Sequence, residues 1–420
     1  MITIIVDKST FQSLSFTELE KLSRYYKHNI APVLVMEILG DLKKDFDPEK
    51  RSAVEIVSDF SKKLFPMQSV VNGYYKSLIH VELTGGEIPL DGRPFLQMEK
   101  LVQAEDGSKG FIVKETEEEV AIHKWKDGRF SEADHMLSKI WRDTTTQEDV
   151  LKNLQKILKN LTIPKLKSLK DLDLYVDEII SNPNFQDQLL AHIIDFYSRG
   201  DIDGVKLFNS WVLAEKPILR NYLPYSIHCL KVDLLFLFGL KNELIGVRPT
   251  NKVDLEYLFY LPFCNVFTSN DKIHKQLVPL IIRKDQMFVI GEDLKIDLRN
   301  IVEFIDKKEL EEKRKFASIP PINEASLTFQ IWKRYLNYPL SNFKSRELSM
   351  EEREYAKSQM DKFIRASQGE KVEFEDGESG DFIVRKTYLS KKDTCFCGSG
   401  KVVIECCLSE SEFEKLAKQK

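Results

Sequence analysis

The chain has no run of eighteen apolar residues in its 420 positions. A helix needs about that length to cross a bilayer, so no membrane span is expected. The N-terminus places no positive charge ahead of an apolar core, so no secretory leader is expected, and a cytoplasmic location follows. Neither sign of charge dominates: 62 Lys and Arg face 66 Asp and Glu, a net charge of −4. That excludes a generally basic nucleic-acid binder and leaves any such surface local. Histidine is scarce, at seven, and His80, His123 and His135 show no metal-ligand spacing. No internal repeat stands out. Cysteine is scarce too, at six, which excludes a disulfide scaffold in a chain this long. The composition is otherwise ordinary for a globular protein, with 42% hydrophobic and 30% charged residues. The length allows two or three domains with real cores.

Acids at particular positions carry the most information. Ile2-Thr3-Ile4-Ile5-Val6 is an apolar, β-branched run, as a buried strand requires, and Asp7 ends it. A helix is expected from Thr17 to Lys27, with Ser15 as its cap and Glu18 in its first turn. The run from Ala31 to Leu42 holds Glu37 among Val33, Leu34, Met36, Ile38 and Leu39. A carboxylate set among apolar residues is costly to bury without a partner. Further on, the stretch DLEYLFYLPFCNVFTSND, Asp254 to Asp271, reads as helix, turn and strand. Asp254 stands where the helix opens and suits a cap there. Pro262 ends the helix, and Asn265 to Thr268 form a short buried strand. Asp271 follows at the carboxyl end, where open α/β sheets place their ligands. Taken one at a time, Asp254 is explained as a cap and Asp271 as a loop residue.

Taken together, Asp7, Glu37, Asp254 and Asp271 resemble the acidic set of the PIN-domain nucleases. That family has a parallel sheet flanked by helices. One Asp closes its first strand, a Glu follows about thirty residues on, a later Asp opens a helix, and a last Asp comes in a Thr/Ser-x-Asp context. Here the last is Ser269-Asn270-Asp271. The resemblance covers roughly residues 1–45 and 224–290, under a third of the chain. It implies an α/β fold, a Mg²⁺ or Mn²⁺ ion held by the four acids, and a nucleic-acid substrate, most often RNA. The chemistry is coherent. Carboxylates ~4 Å apart repel by about 4 kcal/mol per pair at an effective dielectric of about 20. Hard oxygen ligands select Mg²⁺ or Mn²⁺, which polarise a phosphodiester and activate water.

Between the two halves, residues 46–223 read as a mainly helical insertion. Val54, Ile56, Val57 and Phe60 recur on one face, as do Val150, Leu151, Leu154, Ile157, Leu158 and Leu161. Further helices are expected over 171–181, 185–198 and 203–214. Short strands are expected at Phe111–Val113 and Val120–Ile122. Lys152, Lys156, Lys159, Lys165, Lys167 and Lys170 make this block's polar side basic, a solvated face or a phosphate-contacting one. Residues 224–306 return to the PIN-like part, with a helix from Tyr225 to Leu240 whose Asp233 reads as an exposed-edge residue. An edge strand is expected at Met287–Ile290 and a helix over Leu298–Ile305. Residues 307–390 read as helical connector and linker.

The tail, 391–420, holds Cys395-Phe396-Cys397, eight residues, then Cys406-Cys407. Four of six cysteines within thirteen positions of a cytoplasmic chain point to metal. Four thiolates close a tetrahedral Zn²⁺ shell, so the site is structural. Gly398-Ser399-Gly400-Lys401 supplies the turn and is no phosphate loop, because the leading glycine and the strand–helix context are missing. The stretch is similar to the SEC-C motif, and departs from it at Val402 to Ile404. A segment this short has little core, so zinc, worth ~10–16 kcal/mol in small peptides, supplies most of its folding energy. Cys229 and Cys264 lie in apolar runs and read as core.

The expectation is therefore a metal-dependent ribonuclease of PIN-like α/β fold, in a bacterial defence or toxin-like role, with Zn²⁺ in its tail. Its partners are RNA and, through the zinc knuckle, a protein. The alternative is a non-catalytic adaptor of the same shape, binding protein or RNA. A helical protein with scattered acids is a third possibility. Whether the four carboxylates converge separates these.

Overall fold

The structure is a computed structural model that describes residues 2–43, 51–64, 69–96, 98–103, 109–113, 116–146, 156, 158–159, 161–197, 202–248, 250–339, 350, 382–384, 401–405 and 409–411. The chain divides into two compact units, residues 1–95 with 124–308, and residues 96–123 with 309–420. Its strands, in chain order, are β1 Thr3–Val6, β2 Lys27–Ile30, β3 Val70–Val71, β4 Met98–Gln103, β5 Lys109–Val113, β6 Val266–Ser269, β7 Met287–Ile290 and β8 Phe382–Val384.

The first unit is α/β. Its five strands form one parallel sheet in the order β3-β2-β1-β6-β7. The central strand β1 and its neighbour β6 are all apolar or hydroxyl-bearing and wholly buried, as a parallel sheet covered on both faces requires. Ile4 lies opposite His28 of β2 on one side and Val266 of β6 on the other. The chain winds outward from β1 in both directions, so the order reverses between β1 and β6. A crevice opens at the carboxyl ends at such a reversal.

Helices connect the strands. Lys8–Ser13 and Phe16–Tyr25 lead from β1 to β2, Pro32–Gly40 and Ala53–Leu64 from β2 to β3, and Lys272–Ile281 from β6 to β7. Gly291–Asp306 follows β7 and packs on Lys8–Ser13 and Phe16–Tyr25. The expected cap at Ser15 is present as a reciprocal box: Glu18 N donates to Ser15 Oγ at 3.2 Å and Ser15 N to Glu18 Oε2 at 2.7 Å. Leu169–Ser181, Gln186–Tyr197, Gly204–Leu213 and Pro224–Lys241 form the helical block. Pro224–Lys241 packs on Tyr75–Leu83, Leu169–Ser181 and Asn251–Leu258.

Several local expectations differ from the structure. Lys27 opens β2 rather than closing a helix. The sequence Lys-His-Asn-Ile shows no strand pattern, and its burial depends on tertiary packing. Asn29 Nδ2 donates to the Phe263 carbonyl at 2.9 Å. His28 stacks on Phe11, and burial pushes its pKa down to about 4, so the ring is neutral. Val120–Ile122 lies in the helix Glu117–Lys126, not a strand. The stretch read as a helical insertion also supplies β3, β4 and β5. Phe111–Val113 does lie in a strand, β5, and β7 is an edge strand.

In the second unit β4 and β5 pair antiparallel, and β8 joins β5 in parallel. The helix Leu327–Leu336 is capped by Ser326, whose hydroxyl accepts from Phe329 N at 3.3 Å, and ends at Asn337 with φ +52°. Among the described residues no helix is long and apolar enough to cross a membrane. Cys395, Cys397, Cys406 and Cys407 lie outside the described residues, as does most of the helix expected over 150–161. Cys229 and Cys264 are buried, as expected of core cysteines.

Candidate functional site

The carboxyl ends of β1 and β6 are one residue and two residues from an aspartate. Asp7 follows Val6 directly and is fully buried. Its backbone N donates to the Thr268 carbonyl at 3.2 Å, which pins it beside β6. Its carboxylate takes three hydrogen bonds: from Thr10 N at 2.9 Å, Ser9 Oγ at 2.7 Å and Ser269 Oγ at 2.6 Å. Asp271 sits at the start of Lys272–Ile281, but its side chain makes no capping bond there. It is 37% exposed, at the mouth of the cluster. Asp254 is in the first turn of Asn251–Leu258 rather than at its cap, because the helix begins three residues earlier than the sequence suggests. Glu37 lies within Pro32–Gly40 as expected and receives the Tyr257 hydroxyl.

His274, which the sequence did not single out, is fully buried at the centre. Its Nδ1 is 2.7 Å from Ser269 Oγ, and its Nε2 is 2.6 Å from the Asp254 carbonyl oxygen. Asp7 Oδ2 and Asp271 Oδ2 stand farther off, at 3.7 and 4.0 Å from Nδ1. Asp7, Asp271 and His274 offer donor atoms that all lie within 4.8 Å of one another. Lys8 Nζ turns away along Pro32–Gly40, donating to the Glu37 carbonyl at 2.8 Å and pairing with Asp41 at 3.0 Å.

The charges divide in two. Burial opposes ionisation of Asp7, but the nearby His274 imidazole outweighs it, with help from Asp271 and the Ser269 hydroxyl. The carboxyl is held far below the ordinary range. Burial likewise opposes a charge on His274, and Asp7 outweighs it, so the imidazole pKa is raised. The other acids move up. Burial raises Glu37 to about 7, against the pull of Lys8 and Tyr257. Burial, with Asp7 adding repulsion, raises Asp254 to about 6. Burial and then Asp7 raise Asp271 to about 7. Asp7 and Asp254 influence Glu37, and Asp254 influences Asp271, so all four acids share one electrostatic neighbourhood.

This donor set fits a hard divalent cation. Of the four acids, the carboxylates of Asp7 and Asp271 converge. Those of Glu37 and Asp254 are outside the convergent group and act on it through their charge. Burial with repulsion keeps Asp271 from ionising fully, which an added cation relieves. Asp233 is not part of this group: it sits in Pro224–Lys241, bonded to the Tyr197 hydroxyl, and burial raises it to about 6. It is therefore not the exposed-edge residue the sequence suggests. Ser269 was legible only as part of the Ser-x-Asp pattern. His274 had one available signal, its place three residues after Asp271 in a helix that opens at the sheet's carboxyl end. Comparison with protein-family models, with curated proteins and with solved structures gives no match.

Proposed function

We propose that the chain is a metal-dependent nuclease of PIN-like fold that hydrolyses phosphodiester bonds, with RNA as the substrate class. The observation that carries this is the meeting of Asp7 and Asp271 at the carboxyl ends of β1 and β6, where the sheet order reverses, with Asp254 and Glu37 coupled to them. Asp7 and Asp271 would hold a Mg²⁺ or Mn²⁺ ion directly, and Asp254 and Glu37 complete its surroundings. The ion, when bound, supplies Lewis-acid polarisation of the phosphodiester and lowers the pKa of water. The protein's share is positional and protonic. Asp7 is fixed by three donors and stays ionised. Glu37 and Asp254, which ionise near 7 and 6, are poised to take a proton from attacking water near neutral pH. Asp271, at the exposed mouth, meets substrate first. Cys395, Cys397, Cys406 and Cys407 would hold a structural Zn²⁺ in the tail, where a protein partner could dock.

The test is cleavage of single-stranded RNA, structured RNA and DNA with Mg²⁺ or Mn²⁺. Asp7→Asn and Asp271→Asn, nearly isosteric, should each lower the rate by on the order of a hundredfold or more while the fold survives. A wild type inert on every substrate, or variants that cleave equally well, would leave the adaptor in its place. Zinc content should fall to background when any of the four tail cysteines is changed to Ser.

A further inference from the structure

The donor atoms around Asp7 invite the idea that His274 is a third ligand to the ion, since its Nδ1 is within 4.8 Å of both carboxylates. The hydrogen bonds point elsewhere. Each imidazole nitrogen already has a closer partner than any carboxylate: Ser269 Oγ at 2.7 Å for Nδ1 and the Asp254 carbonyl at 2.6 Å for Nε2. Ser269 is fully buried, and the bond to the Asp254 carbonyl is partly so. Drawing Nδ1 to a metal would cost its bond to Ser269 Oγ, and turning the ring would cost the bond to the Asp254 carbonyl as well.

The position of the ring explains what those two bonds accomplish. Ser269 ends β6, and its hydroxyl is the hub of the site: it donates to Asp7 Oδ2 and accepts from Asp271 N at 2.9 Å. Asp254 arrives on a different helix, twenty residues upstream. The imidazole spans the gap, with one nitrogen on the hub and the other on the backbone of Asp254 itself. Aromatic rings hold it on edge, Tyr257 at 5.8 Å and 77° and Phe267 at 5.2 Å and 82°. Tyr257 in turn passes its hydroxyl to Glu37. One buried ring thus stands between the strand-borne pair, Asp7 and Asp271, and the helix-borne pair, Asp254 and Glu37.

We propose that His274 is a positioning residue that clamps Asp254 against the Asp7–Asp271 pair and is not a ligand of the ion. The part that concerns the ion rests on the metal-dependent reading above. The clamp itself exists without metal.

The experiment compares wild type with His274→Ala and His274→Gln. Glutamine's amide reaches about where Nε2 lies and can donate to the Asp254 carbonyl, whereas alanine cannot. In the metal-free protein, amide exchange over 251–258 should rise in His274→Ala and return toward wild type in His274→Gln. Mn²⁺ affinity, read by electron paramagnetic resonance, should fall about 10–100-fold in His274→Ala, as for lost outer-shell partners, and recover to within about threefold in His274→Gln. With ¹⁵N-labelled histidine, bound Mn²⁺ in wild type should show no coupling to an imidazole nitrogen. Such coupling overturns the proposal, as does unchanged exchange over 251–258 in His274→Ala, or a folded His274→Gln that binds as weakly as alanine. Should His274→Ala fail to fold, His274→Gln and the wild-type spectrum still decide. Wild type that binds no Mn²⁺ overturns the nuclease reading and the positioning role, while the exchange arm still decides whether the clamp exists.

Discussion

Glu82 and Glu37 are both carboxylates withdrawn from water on helices of the same unit, and they are treated in opposite ways. Glu82, on Tyr75–Leu83, faces the first turn of Pro224–Lys241. It accepts from Tyr225 N at 2.8 Å, Ser226 N at 2.7 Å and Ser226 Oγ at 2.6 Å. A helix N-terminus has free N–H groups and a positive end, and Glu82 satisfies both. Glu37 has one donor, the Tyr257 hydroxyl, and the charge of Lys8 in its favour, while Asp254 and Asp7 nearby repel its charge. Burial raises the pKa of each. Three donors work against the rise at Glu82, and at Glu37 the value reaches about 7. A carboxylate whose burial is met by donors holds two helices together. A carboxylate whose burial is not met is costly to the fold, and such groups gather where a cation can be used.

The contrast breaks most visibly if Glu82 is truncated. Glu82→Ala leaves two buried backbone N–H groups and a hydroxyl without their acceptor, at a cost of about 3 kcal/mol or more. Urea unfolding should show that loss, while Mn²⁺ affinity per folded molecule stays as in wild type. A variant that loses metal binding but keeps its stability would reverse the assignment of structure to Glu82.

The second test uses pH on the metal-free protein. Glu37 ionises near 7 in the folded chain against an ordinary 4.5, so the folded state holds its proton more tightly than the unfolded state. Its contribution is greatest below about 4.5 and is lost as pH rises to about 7. Asp254, near 6, and Asp271, near 7, act in the same direction, and so does His274, whose pKa is raised. Asp7 acts oppositely, but its contribution is complete above about pH 4, outside the window. At 1.36 kcal/mol per pH unit, Glu37 alone accounts for on the order of 3 kcal/mol. In EDTA, unfolding midpoints should fall between about pH 5 and 7.5, and saturating Mg²⁺ should flatten the slope. A flat profile in EDTA would mean that these acids are better solvated than their burial indicates.

The sheet's centre and two of its acids were legible because parallel central strands are read directly from apolar, β-branched runs. Such strands need no alternation of polar and apolar residues: Ile4, Ile5 and Val6 announce β1, and Asp7 and Asp271 stand out as charges at strand ends. What stayed hidden depends on tertiary partners. β2 is polar in sequence, and it is buried between β1 and β3, where Asn29 Nδ2 donates to the Phe263 carbonyl. β3 is two residues long. Lys272–Ile281 carries Pro279 inside it, which argues against a helix locally. Asp254 looks like a cap and is not one, since the helix starts at Asn251. His274 has no sequence partner at ligand spacing, because its partners are a hydroxyl and a backbone carbonyl.

The smallest effect is the most discriminating. Glu37→Gln keeps the volume and can still accept from the Tyr257 hydroxyl, but it removes the charge that burial and Asp254 penalise. In EDTA at about pH 7.5 the variant should be more stable than wild type by on the order of 2 kcal/mol, the share of the Glu37 contribution that is lost between about pH 5 and 7.5. At about pH 5, where wild-type Glu37 is already protonated, the two should coincide. Mn²⁺ affinity should fall in the same variant. Stability and binding would then move in opposite directions at Glu37, the usual mark of a strained functional group, whereas Glu82→Gln should lower stability and leave binding alone. If Glu37→Gln instead destabilises the metal-free protein at that higher pH, the carboxylate is a structural acceptor like Glu82. The acidic cluster would then shrink to Asp7, Asp254 and Asp271.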